Sequence, residues 1–393
     1  MNNLTTNGDI VLNPVNTTSR INDALTADFL QQIPRGHLGM SGIGNPDLRT
    51  QWLKFRWCLP DVPAPRTLRI FELGNILEDE VIRLLKLTGF DVWEIDPTTG
   101  KQFNFKRLGG HFAGSADGII KGIPESNQAH VLEVKSAKES KGNELKKHIA
   151  ESASENDALK KWNPDYFGQT QCYMHELGLM RTLFFVYVKN TSEIITLRIK
   201  PEKFYFEGAL SNAERIITTD EPPASSYKNR DWYEIKKFKS EEYQAVYWGD
   251  TLPPKAHCRN CRHACPIVDE RTNATWFCNI TQAPRSIEGQ HKGCNQHNFL
   301  PSLMPAEFVK IHDDCNVVEY KTSDGKTFFN SCMDNHEWNV FSSFELIEFS
   351  KLGLKDEVLF DEINAELRAE FKSRLVEIIP GPNLPESLKN QTI

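Results

Sequence analysis

The sequence contains no apolar run approaching the ~20 residues that a membrane-spanning helix requires, and Met1 opens onto a polar stretch rather than the apolar core of a signal peptide. The expectation is therefore a cytoplasmic chain with no membrane partner. No internal repeat is present, which removes stacked-repeat architectures. Positive charge is not in surplus either: 46 Lys and Arg stand against 53 Asp and Glu, a net charge of −7. That balance excludes a protein that is basic throughout, but the distribution of charge matters more than its sum. Residues 301–393 hold 17 of the acids and 9 of the bases, so the remainder is about neutral, with basic clusters at 135–147 and 228–239. Cysteine is plentiful. Five of the nine fall between positions 258 and 294, and in a reducing compartment such a cluster argues for metal binding rather than disulfides.

A chain of 393 residues exceeds one ordinary core, so two or three domains are expected. Residues 1–25, rich in Asn, Thr and Ser, read as a flexible N-terminal arm; 26–250 form the main domain, 251–300 a cysteine-rich module and 301–393 an acidic α+β region. Apolar residues Leu73, Ile76, Leu77, Val81, Leu84 and Leu85 recur at helical spacing and predict a helix over 71–88, ended by Gly89. Strands are predicted at 90–95, 112–120 and 130–137, the last two forming a hairpin. A lysine-rich segment, read as mobile, follows. A helix over 165–177, entered after Pro164, and strands at 182–189 and 191–200 complete an α/β arrangement, a mixed central sheet flanked by helices. Beyond 301 the pattern predicts a strand pair around the Ser323 to Gly325 turn and helices over 341–351 and 356–376.

Glu133 and Lys135 lie two residues apart in an apolar strand and so share one face. A buried acid and base are costly unless paired or bound to something, and a divalent cation suits both. Its hard charge takes the carboxylate, while the ammonium polarises a water or stabilises a phosphate. Asp117, in GSADG, precedes Glu133 by 16 residues, a separation suited to neighbouring strands. Small residues 114–116 leave room for a ligand to approach, and Gly118 relaxes the turn. Two carboxylates so placed repel unless a cation sits between them. Glu78 shares a helix face with Gly74, Val81 and Leu85, so its carboxylate points towards protein.

Taken in order, GNILE at 74–78, SADG at 115–118, LEVK at 132–135 and QTQCY at 169–173 resemble the successive motifs of RecB-type PD-(D/E)xK nucleases, a group that includes viral recombination exonucleases and CRISPR-adaptation nucleases. The resemblance covers roughly residues 40–200. It implies a restriction-endonuclease-like core in which Asp117 and Glu133 ligate Mg²⁺ (or Mn²⁺), Glu78 completes the site and Lys135 assists the attacking water. Gln169 and Tyr173 then position the active groups and contact DNA; Tyr166 and Gln171 flank this motif as candidate supports, with packing in the core the equal alternative for Tyr166. The implied activity is metal-dependent hydrolysis of DNA, as an exonuclease, in viral or bacterial recombination, repair or replication, beside a recombination or replication protein and in a bacterial or phage-infected cytoplasm. A catalytically silent DNA-binding or assembly protein on the same fold is the alternative. Exo- against endonuclease, strand preference and oligomeric state stay open.

The cysteine segment reads CRNCRHAC, WFC and GCNQH. A CxxC followed by two further soft ligands is the pattern of a closed, tetrahedral Zn²⁺ site. Cys258, Cys261, Cys278 and Cys294 are the expected ligands, with His297 or Cys265 as replacements. The resemblance offers a competitor, a [4Fe–4S] cluster on Cys58, Cys258, Cys261 and Cys265. Cys172, Cys315 and Cys332 read as core residues.

Overall fold

The computed structural model describes residues 16–360 except 61, 233, 234, 237, 238 and 333–338. It opens with α1 (Thr17–Gln31), capped by Asn16, whose side chain accepts from the Ser19 amide at 3.0 Å. The expected flexible arm over 1–25 thus includes the first turns of a helix; residues 1–15 lie outside the described ones. Next come β1 (Leu38–Gly39), α2 (Leu48–Phe55) and α3 (Pro65–Leu87), whose long amphipathic repeat places Val81, Ile82 and Leu85 in the core. Strands β2 (Asp91–Trp93), β3 (Ile95–Asp96), β4 (Lys101–Arg107), β5 (Phe112–Ala116), β6 (Gly118–Lys121) and β7 (His130–Ala137) follow.

Five strands make the main sheet, in the order β2-β6-β7-β8-β9, where β8 is Thr182–Val188 and β9 is Glu193–Ile199. The β7–β8 pair is parallel and the others antiparallel, so the sheet is mixed. Leu132, Val134, Leu183 and Phe185 pack beneath α3 on one face. The other face meets α4 (Glu139–Glu151), α5 (Glu155–Trp162) and α6 (Pro164–Leu177). The lysine-rich segment is therefore ordered as α4. Gly142 and Leu145 are its buried face, and Gly142 comes so close to Val188 that an added Cβ would lie 2.8 Å from its Cγ2.

A second sheet runs β1-β5-β4-β3. The single strand expected over 112–120 is two strands: the chain leaves one sheet after Ala116, enters the other at Gly118, and Asp117 sits at the crossing. Residues 90–95 divide likewise, β2 in the main sheet and β3 in the second. Gly118 has no positive φ. Its lack of a side chain serves close approach, since a Cβ there would stand 2.7 Å from the Trp93 carbonyl oxygen.

Helices α7 (Tyr205–Thr218) and α8 (Glu241–Trp248) lead to a small sheet of β10 (Ala264–Pro266), β11 (Trp276–Cys278) and β12 (Ala283–Arg285), then to α9 (Ile287–Lys292). The C-terminal described region holds β13 (Glu307–His312), β14 (Val317–Lys321), β15 (Thr327–Ser331), β16 (Val340–Ser342) and α10 (Ser343–Leu352). The strand pair around Ser323 to Gly325 is β14–β15. The helix expected over 341–351 is α10; the one over 356–376 is helical at Asp356–Leu359, and its remainder beyond 360 lies outside the described residues. One cluster of buried apolar side chains runs from Leu38 through Trp276 and Phe299 to Leu359, so the 26–250, 251–300 and 301–393 segments share a core. Among the described residues no helix is long and apolar enough to cross a membrane.

Candidate active site and cysteine cavity

The antiparallel register pairs Gly118 with Leu132, and one step further along the ladder sets Asp117 across from Glu133. Leu132 and Val134 point beneath α3, so alternation turns Glu133 and Lys135 to the α6 face. Glu133 is fully buried and its Oε1 is ion-paired with the Lys135 ammonium; its Oε2 has no partner. Lys135 also donates to the Val134 carbonyl at 3.1 Å and lies 5.4 Å from the centre of the Tyr166 ring. Asp117 Oδ2 accepts from the Val134 amide at 2.7 Å. The structure brings Asp117, Glu133 and Lys135 together over the middle of β7, through the Glu133–Lys135 pair and the Asp117 bond to the Val134 amide.

Burial, then the neighbouring Asp117, raises the Glu133 carboxyl above its ordinary range. Asp117 is raised too, by burial, against the pull of Lys135 and the Val134 amide. Burial opposes the charge on Lys135, yet Glu133 and Asp117 outweigh it and hold the ammonium charged. Glu78, half-buried on α3, is pushed up to about 7 by burial and by Asp117.

Glu78 and Asp117 line a polar cleft of about 910 Å³ together with Gln169 and Tyr173. Gln169 Nε2 donates to Tyr173 Oη at 3.2 Å, and Gln169 Oε1 has no partner. Burial and the Glu133 charge keep the Tyr173 phenol protonated. The small residue at 114 makes room for this tyrosine rather than for a ligand, because a Cβ on Gly114 would lie 2.8 Å from Tyr173 Cε1. Gln171, expected beside the site, is elsewhere: Nε2 donates to the Lys200 carbonyl at 3.0 Å and Oε1 accepts from the Glu202 amide at 2.7 Å, pinning α6 to the end of β9.

Other cleft residues had not been singled out. Asn75 lines it from α3, and its place three residues before Glu78, on the same helix face, was a readable signal. Arg35, His37, Lys106, Asn273, Arg285 and Gln290 line it too. Burial holds His37 neutral, at about 4. No local pattern marks these positions, since they come from four separate stretches of chain.

A second, much smaller cavity is lined by Cys258, Cys261, Cys278 and Cys294, with His263 and His297. Cys58 and Cys265 are not in its lining; Cys58 is fully buried beside Arg56, and Cys265 is exposed. His263 Nε2 is engaged with Asn316 Oδ1, whereas His297 Nδ1 has no partner. Cys172, Cys315 and Cys332 are buried. Among the described residues, no group of three or more His, Cys, Asp or Glu side chains stands at metal-binding spacing, here or at β7.

No family model matches the chain, and no curated protein does. Among solved structures, SSO0001 is similar at 15% identity over 51% of this chain and 84% of that one, with a TM-score of 0.32. An alkaline exonuclease from Laribacter hongkongensis, LHK-Exo, is similar at 16% identity over 49% of this chain and 90% of its own, with a TM-score of 0.30. Its complex with dAMP gives 16% identity over 46% and 86%, also with a TM-score of 0.30. At TM-scores this low the likeness bears no structural weight, and the site stands on its own side chains.

Proposed function

We propose that the chain is a divalent-cation-dependent deoxyribonuclease, an exonuclease acting in DNA recombination, repair or replication. The observation that supports this most is Glu133: a fully buried carboxylate with one oxygen on Lys135 and the other without a partner, across the strand pair from a cleft-lining Asp117. Three carboxyls that raise one another above their ordinary range offer oxygen ligands of the kind a hard cation takes, once they draw together around it. Mg²⁺, or Mn²⁺ in its place, held by Asp117 and Glu133 with Glu78 completing the set, would supply Lewis acidity to the scissile phosphate and acidify a bound water. Lys135 keeps its charge where it orients the water and offsets the negative charge that phosphorus gains. Gln169 and Tyr173, joined to each other, position the strand. Arg35, Lys106 and Arg285 meet its phosphates from the far side, which makes binding fall steeply with salt.

We propose further that Cys258, Cys261, Cys278 and Cys294 hold a structural Zn²⁺, with His297 the replacement should one of them prove not to be a ligand. The cavity lining supports this set over a [4Fe–4S] cluster that draws on Cys58 and Cys265. The test is cleavage of linear and circular DNA with Mg²⁺ or EDTA, by wild type and Lys135→Ala, alongside zinc and iron analysis of the purified protein. Chelator-sensitive cutting of linear DNA that vanishes in the variant, with zinc near one per chain, is expected. DNA binding without cutting under every metal condition would overturn the enzymatic reading, and iron in place of zinc would overturn the metal assignment.

A further inference from the structure

We infer that a second pocket, beside the cleft, takes one unpaired base of the DNA strand being cut, and that Gln51 and Asp165 select bases that carry an amino group. This rests on the nuclease reading above and adds to it a preference among bases and a need for an unpaired stretch of strand.

The pocket, of about 740 Å³, is lined from the end of α1, from α2 and from the start of α6. Arg35, His37 and Ser41 line both it and the cleft, so the two are neighbours along one stretch of chain. Phe29, Ile33, Pro34, Leu38 and Leu59 give it apolar walls. Trp57, also in the lining, is held from several sides. Its backbone has a left-handed φ of 52°, its indole N–H donates to the Arg35 carbonyl at 2.9 Å, and the Arg259 guanidinium stacks 4.0 Å from its ring centre. A residue other than glycine keeps such a φ only where its surroundings over-determine it.

Two polar groups in this lining lack partners. Gln51, 5% exposed, donates from Nε2 to the Asn45 carbonyl at 2.8 Å, which fixes the orientation of the amide and leaves Oε1 as an acceptor with no donor. Asp165 Oδ1 has no partner either, and Lys54, in the same lining, is near enough to offset the charge of the carboxylate. A buried acceptor without a donor is costly, so an apolar slot with two of them fits a flat ligand with N–H groups on its edge. Cytosine N4, adenine N6 and guanine N2 supply such donors, whereas thymine and uracil show carbonyl oxygens there. Oxygen against oxygen leaves the acceptors unpartnered and adds repulsion. In a duplex that edge is already paired, so the pocket takes a base that has left the stack.

The experiment uses the full chain, with Ca²⁺ replacing Mg²⁺ to suppress cutting, and reads affinity by fluorescence anisotropy. The probes are labelled single strands of equal length, one of deoxycytidine alone and one of deoxyuridine alone, which share backbone and charge and differ at the base edge. Wild type should hold the deoxycytidine strand on the order of 10-fold more tightly. In Gln51→Met, which keeps the length of the side chain without its oxygen, that preference should fall to about 3-fold or below, and Asp165→Ala should act likewise. A preference that survives in both variants would overturn the proposal. If Gln51→Met does not fold, Asp165→Ala decides, because Asp165 Oδ1 has no bond to lose. Cutting of DNA by wild type in Mg²⁺ is measured in parallel. Wild type that neither binds nor cuts DNA defeats the nuclease reading and this proposal with it. Wild type that cuts DNA but binds the two strands equally, or binds neither, defeats this proposal alone.

Discussion

The two walls of the cleft are built in opposite ways. The acidic floor comes from one hairpin: Asp117 and Glu133 face each other across β6 and β7, with Lys135 two residues on. The far wall is assembled from residues around 35–37, 106, 273 and 285–290, and contacts between residues more than 150 positions apart join it to the core. Lys106 Nζ donates to Asn273 Oδ1 at 2.6 Å and the Ala274 amide to the Gly109 carbonyl at 2.6 Å. Gly109 and Gly110 have φ of 64° and 82°, and a Cβ on Gly110 would lie 2.8 Å from the Ala274 nitrogen. Chemistry that must be buried beside its own counter-charge is local, whereas a binding surface can be gathered from anywhere the core brings together.

The sharpest way to break this contrast is Lys135→Ala. If the floor performs the chemistry, cleavage falls by at least about 10²- to 10³-fold, while DNA affinity measured in Ca²⁺ changes far less; a variant that still cuts at a tenth of the wild-type rate removes the floor from the mechanism. Next in size is Gly110→Val at the junction of the walls. The left-handed φ and the overlap with Ala274 should cost about 2–3 kcal/mol, read as a lower urea midpoint, and a midpoint unchanged from wild type would show that the junction bears no load.

Acidity separates the walls further. Glu78 titrates near 7 in the fold against an ordinary 4.5, with Glu133 and Asp117 also raised. A carboxyl whose folded value is raised binds its proton more tightly when folded. That stabilisation is fully present below about 4.5 and is lost as the pH climbs through 7. A cation that binds the charged forms should restore it. Thermal melts with EDTA and with Mg²⁺ should therefore nearly coincide at pH 5 and separate by a few degrees at pH 8; equal shifts at both values would mean that the ion binds elsewhere. The smallest effect is expected for Gln171→Ala, which removes two hydrogen bonds to the end of β9 and should cost about 1–2 kcal/mol with the rate of cutting unchanged. A drop in rate would return Gln171 to the site.

Periodicity carried much of the fold. The apolar runs of β7 and β8 and the alternation of β9 each correspond to a strand close to its expected bounds, and the apolar spacing over 71–88 to α3, which begins earlier, at Pro65. Composition was a poorer guide. The lysines of α4 and the polar residues of α1 concealed a helix in each case, and α4 is held by Gly142 and Leu145 meeting β8 and its neighbours. Strand β4 went unread between two turns. In the candidate site, Glu78, Asp117, Glu133, Lys135, Gln169 and Tyr173 were all marked by spacing and motif; Glu78, Asp117, Gln169 and Tyr173 line the cleft, and Glu133 and Lys135 pair in the middle of β7.

The amino-acid order alone marked which side chains call for a partner: an acid and a base on one strand face, a second acid at hairpin distance, and a cluster of five cysteines within one module. Tertiary structure decided where those partners are. Which sheet each half of 112–121 joins, why Gly114 and Gly118 must be small, and which cations face the acids all depend on pairings between distant segments. Such pairings leave no periodic trace, because the energy that selects them arises only when the two surfaces meet.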